Sequence, residues 1–186
     1  MRALLDANVL YPAILRSLLI DLSVMGVYQA YWTDEIHDEW IRNLLLNRPD
    51  LDLVKLQRTR ELMDRALDTA RITGYEALIP TLRLPDPNDR HVLAAALHGG
   101  AELIVTQNLK DFPADVLEPL GVQAVHPDRF VRELLTTQPE GVLEAIRRGR
   151  LRYTSPVLTA QEMLTMLARQ GLTTTVQRLE ASVDQL

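Results

Sequence analysis

Residues 2–10 read Arg-Ala-Leu-Leu-Asp-Ala-Asn-Val-Leu, a short apolar run that stops at an acid, Asp6. A continuous apolar run of this length is typical of a buried strand. From Pro12 to Met25 the apolar residues instead recur at helical spacing. The segment predicts a strand, a turn and a helix, with Asp6 directly at the end of the strand.

The same alternation of strand and helix continues along the chain. Further strands are predicted at Val27–Trp32, Leu103–Val105 and Val122–Val125, and further helices after the cap residue Thr33, over Leu53–Ile72 and from about Asp89 to His98, with a mixed extended stretch from Gly74 to Leu84. Alternating strands and helices imply an α/β fold with three α/β/α layers around a central parallel sheet. Ligands of such folds gather outside the carboxyl ends of the central strands.

The chain beyond Pro127 shows helical spacing only. Thr159 and Glu162 have the spacing of a capping box at the start of one of these helices. We therefore expect a main domain at residues 1–137 and a small all-helical extension at residues 138–186.

Composition limits the chemistry that is available. The chain has 186 residues and no cysteine, so any metal must be held by oxygen or imidazole ligands. Its formal charge of -5 argues against a general cationic coat for nucleic acid. No segment approaches the 18 uninterrupted apolar residues of a membrane span, which predicts a soluble, cytoplasmic protein that does not bind membranes.

Four segments deliver polar residues to the predicted carboxyl edge of the sheet. These residues are Asp6 after the first strand, Glu39 on the inward edge of the helix after Thr33, Asp86 and Asp89 before the alanine-rich helix, and Thr106, Asn108 and Asp111 after the strand Leu103–Val105. Each acid alone has an alternative interpretation as a helix cap or a dipole partner. The convergence of four segments on one edge therefore carries the prediction of a site.

The four histidines do not extend this pattern. His37, His91, His98 and His126 lie on different elements, and no two of them have a metal-ligand spacing such as i, i+4. We expect each to be an ordinary surface or partly buried residue without a catalytic role.

Taken together, the four segments resemble the PIN-domain family, which includes the toxins of bacterial VapBC toxin–antitoxin pairs. The resemblance covers about residues 1–130. Asp6 matches the acid after the first strand, Glu39 the acid on the helix after Trp-Thr, and Asp89 the acid before the alanine-rich helix. The sequence departs from the family at Asn108, where an aspartate is usual.

The resemblance implies a metal-dependent nuclease that acts on single-stranded RNA with Mg²⁺ or Mn²⁺. Asp6, Glu39 and Asp89 are then the expected catalytic residues, and the same three with Asp86 are the expected metal-binding residues. Asn8, Thr106, Asn108 and Asp111 are the expected supporting residues. Arg90 is a candidate for contact with a phosphate, and an exposed helical arginine is the alternative. A neutral Asn108 favours one tightly held ion, unless Asp111 supplies the missing carboxylate.

The resemblance also implies protein partners. These are an antitoxin protein that covers the site and a second copy of the chain in a homodimer. The extension at residues 138–186 is expected to serve stability or partner binding, because its acids occupy solvated helix positions.

Two other functions compete with this interpretation. A phosphatase or phosphotransferase with a nucleophilic aspartate also begins with strand, aspartate and helix, but it requires a second acid where this chain has Asn8. A catalytically silent PIN-like binding module is compatible with Asn108 and with the acidic charge. Metal-dependent cleavage of RNA separates the three possibilities.

Overall fold

A computed structural model describes all 186 residues and shows four parallel strands in one sheet. The strands are β1 (Arg2–Leu5), β2 (Gln29–Tyr31), β3 (Leu103–Val105) and β4 (Gln123–Val125), in the order β2-β1-β3-β4. Leu5 lies opposite Val105, and Val105 lies opposite Val125, so three strands end at the same level. The residues that follow these strands therefore meet at one edge of the sheet.

Helices form most of the remaining structure. They are α1 (Ala7–Leu10), α2 (Ala13–Val24), α3 (Asp34–Asn47), α4 (Leu53–Ala66), α5 (Arg90–Gly99), α6 (Ala114–Leu117), α7 (Pro127–Thr137), α8 (Pro139–Leu151), α9 (Ala160–Arg169) and α10 (Thr173–Leu179). Short 3-10 helices lie at Glu76–Thr81, Pro87–Asp89, Leu109–Asp111, Glu118–Leu120 and Glu180–Gln185. The predicted α/β fold with a central parallel sheet and a helical C-terminal region is confirmed. No helix has the length and apolar character needed to cross a membrane.

The chain forms two compact units. The first unit consists of Met1–Tyr11 and Tyr28–His126 and holds the sheet, whereas the second consists of Pro12–Val27 and Pro127–Leu186 and is helical. The predicted extension at residues 138–186 lies within the second unit. That unit also contains α2, which comes from the N-terminal part of the sequence. The predicted boundary at residues 137/138 stays a prediction.

The core of the sheet unit explains where α5 lies. Leu4, Leu5 and Ile104 are fully buried on the two central strands, and α5 packs against both of these strands. The small side chains of residues 94–96 are fully buried, which lets the helix approach the sheet closely. Because α5 leads into the parallel strand β3, its first turn lies at the edge where the strands end.

A buried polar network connects α3 and α4. His37 is fully buried, and its Nδ1 accepts a hydrogen bond of 2.9 Å from Nε1 of Trp40. Its Nε2 lies 3.4 Å from Oδ1 of Asp64, which also accepts a bond from Nε1 of Trp32. Burial lowers the pKa of His37 to about 4, against the opposing charge of Asp64. The expectation of a surface or partly buried residue at this position is therefore wrong.

Two predicted segments near residue 70 also differ from the structure. The helix predicted over Leu53–Ile72 ends at Ala66, because the chain then pairs with the end of β2 instead. The backbone N–H of Trp32 donates to the carbonyl of Ala70, and that of Ile72 donates to the carbonyl of Trp32. The stretch after Gly74, predicted to be extended, contains the 3-10 helix Glu76–Thr81.

Contacts between residues that are distant in the sequence hold the helical unit together. Helix α2 packs on α8 and α9, and Arg152 binds both carboxylate oxygens of the nearly buried Asp21. Asp128 on α7 accepts hydrogen bonds from the backbone N–H groups of Thr174 and Thr175, so it caps α10 from another helix. The predicted capping box of Thr159 and Glu162 is present at the start of α9.

Candidate active site

Asp6 occupies the first position beyond β1 and is 5% exposed. Its backbone N–H still donates to the carbonyl of Val105, so the ladder between β1 and β3 fixes the residue. Oδ1 accepts a hydrogen bond of 2.7 Å from the N–H of Ala7. Oδ2 accepts bonds of 2.5 Å from Nδ2 of Asn8 and 2.6 Å from the hydroxyl of Thr106. Three hydrogen bonds therefore set the direction of this carboxylate.

Thr106 and Asn8 form a closed network around Asp6. The fully buried hydroxyl of Thr106 donates to Asp6 and accepts from both Nδ2 of Asn8 and the backbone N–H of Asn108. Oδ1 of Asn8 accepts a bond of 2.9 Å from the N–H of Gln107. Two of the four side chains predicted to support the site, those of Asn8 and Thr106, therefore contact Asp6 and each other.

Glu39 reaches the site from α3. Thr33 caps this helix by accepting a bond from the N–H of Ile36, and the fully buried Ile36 and Trp40 fix the helix against the core. The Glu39 side chain is 30% exposed. Its negative charge contributes to the raised pKa of Asp6, so the two acids from separate segments share one electrostatic environment.

Burial, more than any other cause, raises the pKa of Asp6 to about 6. The hydrogen bond from Thr106 opposes this rise because it favours the charged carboxylate. The negative charge of Glu39 adds to the rise, because it repels a negative charge on Asp6. The carboxylate therefore accepts protons about two pH units above its ordinary range, unless a cation compensates the charge.

Asp86 and Asp89 lie at the two ends of the 3-10 turn before α5. Oδ1 of Asp86 accepts a bond of 2.8 Å from the N–H of Asn88, which shapes the turn. Burial raises the pKa of Asp89 to about 7, and the charges of Asp6, Asp86, Asp111 and Glu39 add to this rise. The charges of the four other predicted acids therefore all act on Asp89.

Asn108 and Asp111 form a local pair after β3. The amide Nδ2 of Asn108 donates a short hydrogen bond to Oδ2 of Asp111. The negative charge of Asp111 contributes to the raised pKa of Asp89. Asn108 therefore orients the neighbouring acid instead of offering a carboxylate itself.

Sequence reasoning missed His91, which lies two residues after Asp89 on α5. It is 6% exposed, its Nε2 lies 3.7 Å from Oε2 of Glu39, and its Nδ1 lies 3.6 Å from Oε2 of Glu35. Burial lowers the pKa of His91, but the contact with Glu39 and the charge of Glu35 more than offset this and raise it overall. The expectation of a surface or partly buried residue at this position is wrong, whereas the expected lack of a catalytic role stays a prediction. The spacing of Glu35 and Glu39 puts both acids on one side of α3, but nothing in the sequence connects them with His91.

A cleft of about 720 Å³ opens beside these acids. It is lined by Glu39, Asp86, Asp89 and His91 among others, and also by Arg42 and Asn43 one turn further along α3. The sequence analysis singled out neither of these last two residues. Arg42 is exposed and makes no ion pair. The Nε of Arg90 instead donates to the carbonyl of Pro87, so its side chain lies along the turn.

The donor chemistry of the site fits a hard divalent cation. Five carboxylates meet in one electrostatic environment, and no soft thiolate competes because the chain lacks cysteine. A cation would relieve the repulsion that raises the pKa values of Asp6 and Asp89. No three acids or histidines form a finished ligand cage around one point. The fit is therefore one of charge and ligand type, and binding requires side-chain adjustment.

Comparison with known proteins gives two family matches in order along the chain. Residues 2–110 match the family described as PIN domain, and residues 127–181 match the family described as VapC50 C-terminal domain. A curated protein of Mycobacterium tuberculosis (strain ATCC 25618 / H37Rv), named "Putative ribonuclease VapC50", is 40% identical over 104 residues. That alignment covers 56% of this chain and 61% of the relative, so the chain spans about three fifths of the relative's length.

No solved structure matches the chain significantly. The PIN match covers more than half of the chain and contains Asp6, Glu39, Asp86 and Asp89. The helical region carries its own match to the C-terminal domain of a VapC-type protein. The resemblance stated from the sequence is confirmed, and the chain belongs to the PIN-domain family.

Proposed function

We propose that this chain is a metal-dependent endoribonuclease that hydrolyses RNA phosphodiester bonds. The observation that carries the proposal is the pair Asp6 and Asp89, two acids of a PIN domain whose pKa values are raised to about 6 and 7. Asp89 lines an open cleft. Such a pair is costly without a cation and is suited to holding one. The name of the 40% identical relative, a ribonuclease, supports the same activity.

Asp6 and Asp89 are the proposed direct ligands. The carboxylate of Asp6 accepts one hydrogen bond at Oδ1 and two at Oδ2, which leaves acceptor capacity mainly at Oδ1. No side-chain hydrogen bond restrains Asp89, so its carboxylate can turn towards Asp6. Asp86 completes the metal-binding set as a neighbouring acid, since its Oδ1 already caps the turn.

A bound divalent cation lowers the pKa of water and neutralises charge that develops on the phosphate. Glu39 serves either as a further ligand or as the base that orients the attacking water and accepts its proton at a carboxylate oxygen. Thr106 and Asn8 keep Asp6 ionised and correctly oriented through their hydrogen bonds. Mg²⁺ and Mn²⁺ are the proposed ions because both prefer carboxylate oxygens.

The cleft provides the proposed RNA-binding surface. Among the residues that line it, Arg42 is the one arginine or lysine, and so the one side chain with a permanent positive charge. An unpaired guanidinium next to acids that bind a cation can contact the phosphate that the cation does not. Arg90 remains a second candidate, although contact with RNA requires it to leave the carbonyl of Pro87.

The similarity to VapC50 supports a role as the toxin of a type II toxin–antitoxin pair. In this role an antitoxin protein covers the acids and presents a basic residue to them. The chain acts on cytoplasmic RNA and forms a homodimer. Expression without the genomic neighbour should arrest growth, and coexpression with the neighbour should restore it. Harmless expression of a protein that cleaves RNA in vitro would remove the toxin role while leaving the nuclease.

The test of the activity is incubation of purified protein with a mixed RNA pool in Mg²⁺, in Mn²⁺ and in chelator. We expect cleavage with metal and none with chelator. RNA binding without cleavage would favour the silent binding module. Hydrolysis of a small phosphomonoester would favour the phosphatase, which the donor role of Asn8 towards Asp6 already disfavours.

A further inference from the structure

The imidazole of His91 lies between two carboxylates of one helix. Glu35 and Glu39 are four residues apart on α3 and therefore point to the same side. The ring of His91, from the first turn of α5, directs Nδ1 towards Glu35 and Nε2 towards Glu39, at 3.6 Å and 3.7 Å. One buried side chain thus contacts both acids, of which Glu39 belongs to the candidate active site.

The carboxylate of Glu35 has a further partner. The hydroxyl of the nearly buried Tyr75 donates a bond of 3.3 Å to Oε2 of Glu35, the same oxygen that faces Nδ1 of His91. Tyr75, Glu35, His91 and Glu39 therefore form a chain of polar contacts that ends at the active-site acid. The first residue is buried and the last is part of the cleft.

A comparison with His37 shows that His91 is not an ordinary core histidine. Nδ1 of His37 accepts a hydrogen bond from Trp40, inside the core and away from the cleft. Nδ1 of His91 has no hydrogen-bond partner, and the groups nearest to its nitrogens are the carboxylates of Glu35 and Glu39. His37 also has one buried nitrogen without a hydrogen-bond partner, its Nε2, so this cost alone does not separate the two residues. What sets His91 apart is that both of its nitrogens face acids of α3, one of which belongs to the candidate active site.

We propose that His91 is a positioning residue that holds the Glu39 carboxylate at the active site, with Glu35 and Tyr75 fixing the orientation of its ring. The proposal rests on the proposed function of the same site. Glu39 is repelled by Asp6 and Asp89, and its side chain is part-exposed, so without a donor it turns towards solvent. Partners behind a ligand commonly set metal affinity in this way.

Three substitutions at one position separate positioning from packing. His91→Gln places an amide N–H near the position of Nε2 and keeps a donor for Glu39, whereas His91→Asn places its amide near Nδ1 and His91→Leu has no donor. We expect the Asn and Leu variants to weaken Mn²⁺ binding by about 10- to 100-fold and to lose kcat more than KM, with the Gln variant retaining most of both.

A surface variant tests the same chain of contacts without disturbing the core. Glu35 is 55% exposed at its side chain, so Glu35→Gln should fold normally and still weaken Mn²⁺ binding, although less than His91→Leu does. Asp34→Asn is the matched control, because it removes one charge from the same helix but pairs with Arg60 instead. His98→Gln, on the exposed end of α5, controls for loss of an imidazole.

The measurements are Mn²⁺ titration by calorimetry, single-turnover cleavage of RNA and thermal unfolding of each metal-free variant. Weakened binding in His91→Leu with recovery in His91→Gln supports the proposal. Equal losses in the Gln, Asn and Leu variants, or wild-type binding in all three, would overturn it while a cleaving wild type leaves the nuclease assignment intact. A wild type that neither binds Mn²⁺ nor cleaves RNA would overturn both.

Discussion

The hydroxyl of Thr106 donates a hydrogen bond of 2.6 Å to Oδ2 of Asp6, and so connects the ends of the two central strands. This bond lowers the pKa of Asp6, against the larger effect of burial. Thr106→Val keeps the shape and removes the donor. We expect the pKa of Asp6 to rise, the pH midpoint of metal binding to move upwards and activity at neutral pH to fall by about tenfold.

Thr106→Ser is the matched control because it keeps the hydroxyl and removes only a methyl group. Metal titration at several pH values checks both variants. An unchanged midpoint in a folded Thr106→Val protein would mean that the hydroxyl does not tune Asp6.

Replacing Asp89 should stabilise the protein when no metal is present. The folded-state pKa of Asp89 is about 7, above the ordinary value of 3.8, so between these pH values the folded state binds more protons than the unfolded state. Its stability contribution is therefore lost as pH rises through about 7. We expect Asp89→Asn to raise the Tm of chelator-treated protein at pH 8 and to lose the further stabilisation that Mn²⁺ gives the wild type.

Thermal unfolding with chelator and with Mn²⁺ measures both effects. Asp68→Asn, on an exposed segment outside the site, is the control for loss of one charge. A lower Tm of Asp89→Asn in chelator at pH 8 would contradict the repulsion inferred for this cluster.

His37 should make stability depend on pH in the opposite direction. Its folded-state pKa is about 4 and its ordinary value is 6.5, so between these pH values the unfolded state binds more protons. The contribution of the neutral ring is present above pH 6.5 and is lost as pH falls to 4, by about 3 kcal/mol. Denaturant unfolding of wild type and His37→Gln should show this dependence in the wild type only, whereas His98→Gln should retain it.

Asn108 stands where the family usually has an aspartate, and Asp111 is the acid that could supply the missing carboxylate. Because Asn108 donates to Asp111 and the charge of Asp111 reaches Asp89, we expect Asp111→Asn to weaken Mn²⁺ binding. Asn108→Asp should place two carboxylates together and strengthen binding or admit a second ion. Calorimetric stoichiometry distinguishes the cases, with one ion expected for the wild type. Wild-type affinity in Asp111→Asn would assign Asp111 to the turn alone.

Asp128 tests whether the helical unit is separate from the chemistry. Its carboxylate caps α10 by accepting bonds from Thr174 and Thr175, so Asp128→Ala should lower stability by about 1–2 kcal/mol. We expect no change in Mn²⁺ affinity. Glu133→Ala, which breaks only an exposed ion pair with Arg129, should have almost no effect on stability. Weaker metal binding in a folded Asp128→Ala protein would contradict this separation.

Much of the fold could be predicted because short-range patterns determine it. The apolar run before Asp6 and the run Leu103–Val105 became neighbouring parallel strands, and the acids that follow them met at one edge. The partner of α2 could not be predicted, because its apolar face does not reveal that it packs on helices more than 100 residues later. The end of α4 was similarly decided by long-range pairing of Trp32 with residues near Arg71.

The candidate site shows the same limit. Asp6, Glu39 and Asp89 follow from motif and strand position, but His91 joins the site only through the packing of α5 on the sheet beside α3. No sequence spacing relates a histidine on one helix to two glutamates on another more than 50 residues earlier. The position of Arg42 beside the site could not be predicted either, because segments distant in the sequence form the cleft.

The central claim is most directly tested by RNA cleavage in Mn²⁺ by wild type, Asp6→Asn and Asp34→Asn, each shown to be folded and free of contaminating nuclease. The change at Asp6 keeps the shape of the side chain but removes a ligand charge, whereas Asp34 pairs with Arg60 away from the proposed ligands. We predict cleavage by wild type and Asp34→Asn and none by Asp6→Asn. Equal cleavage by wild type and Asp6→Asn would contradict the metal-dependent nuclease assignment.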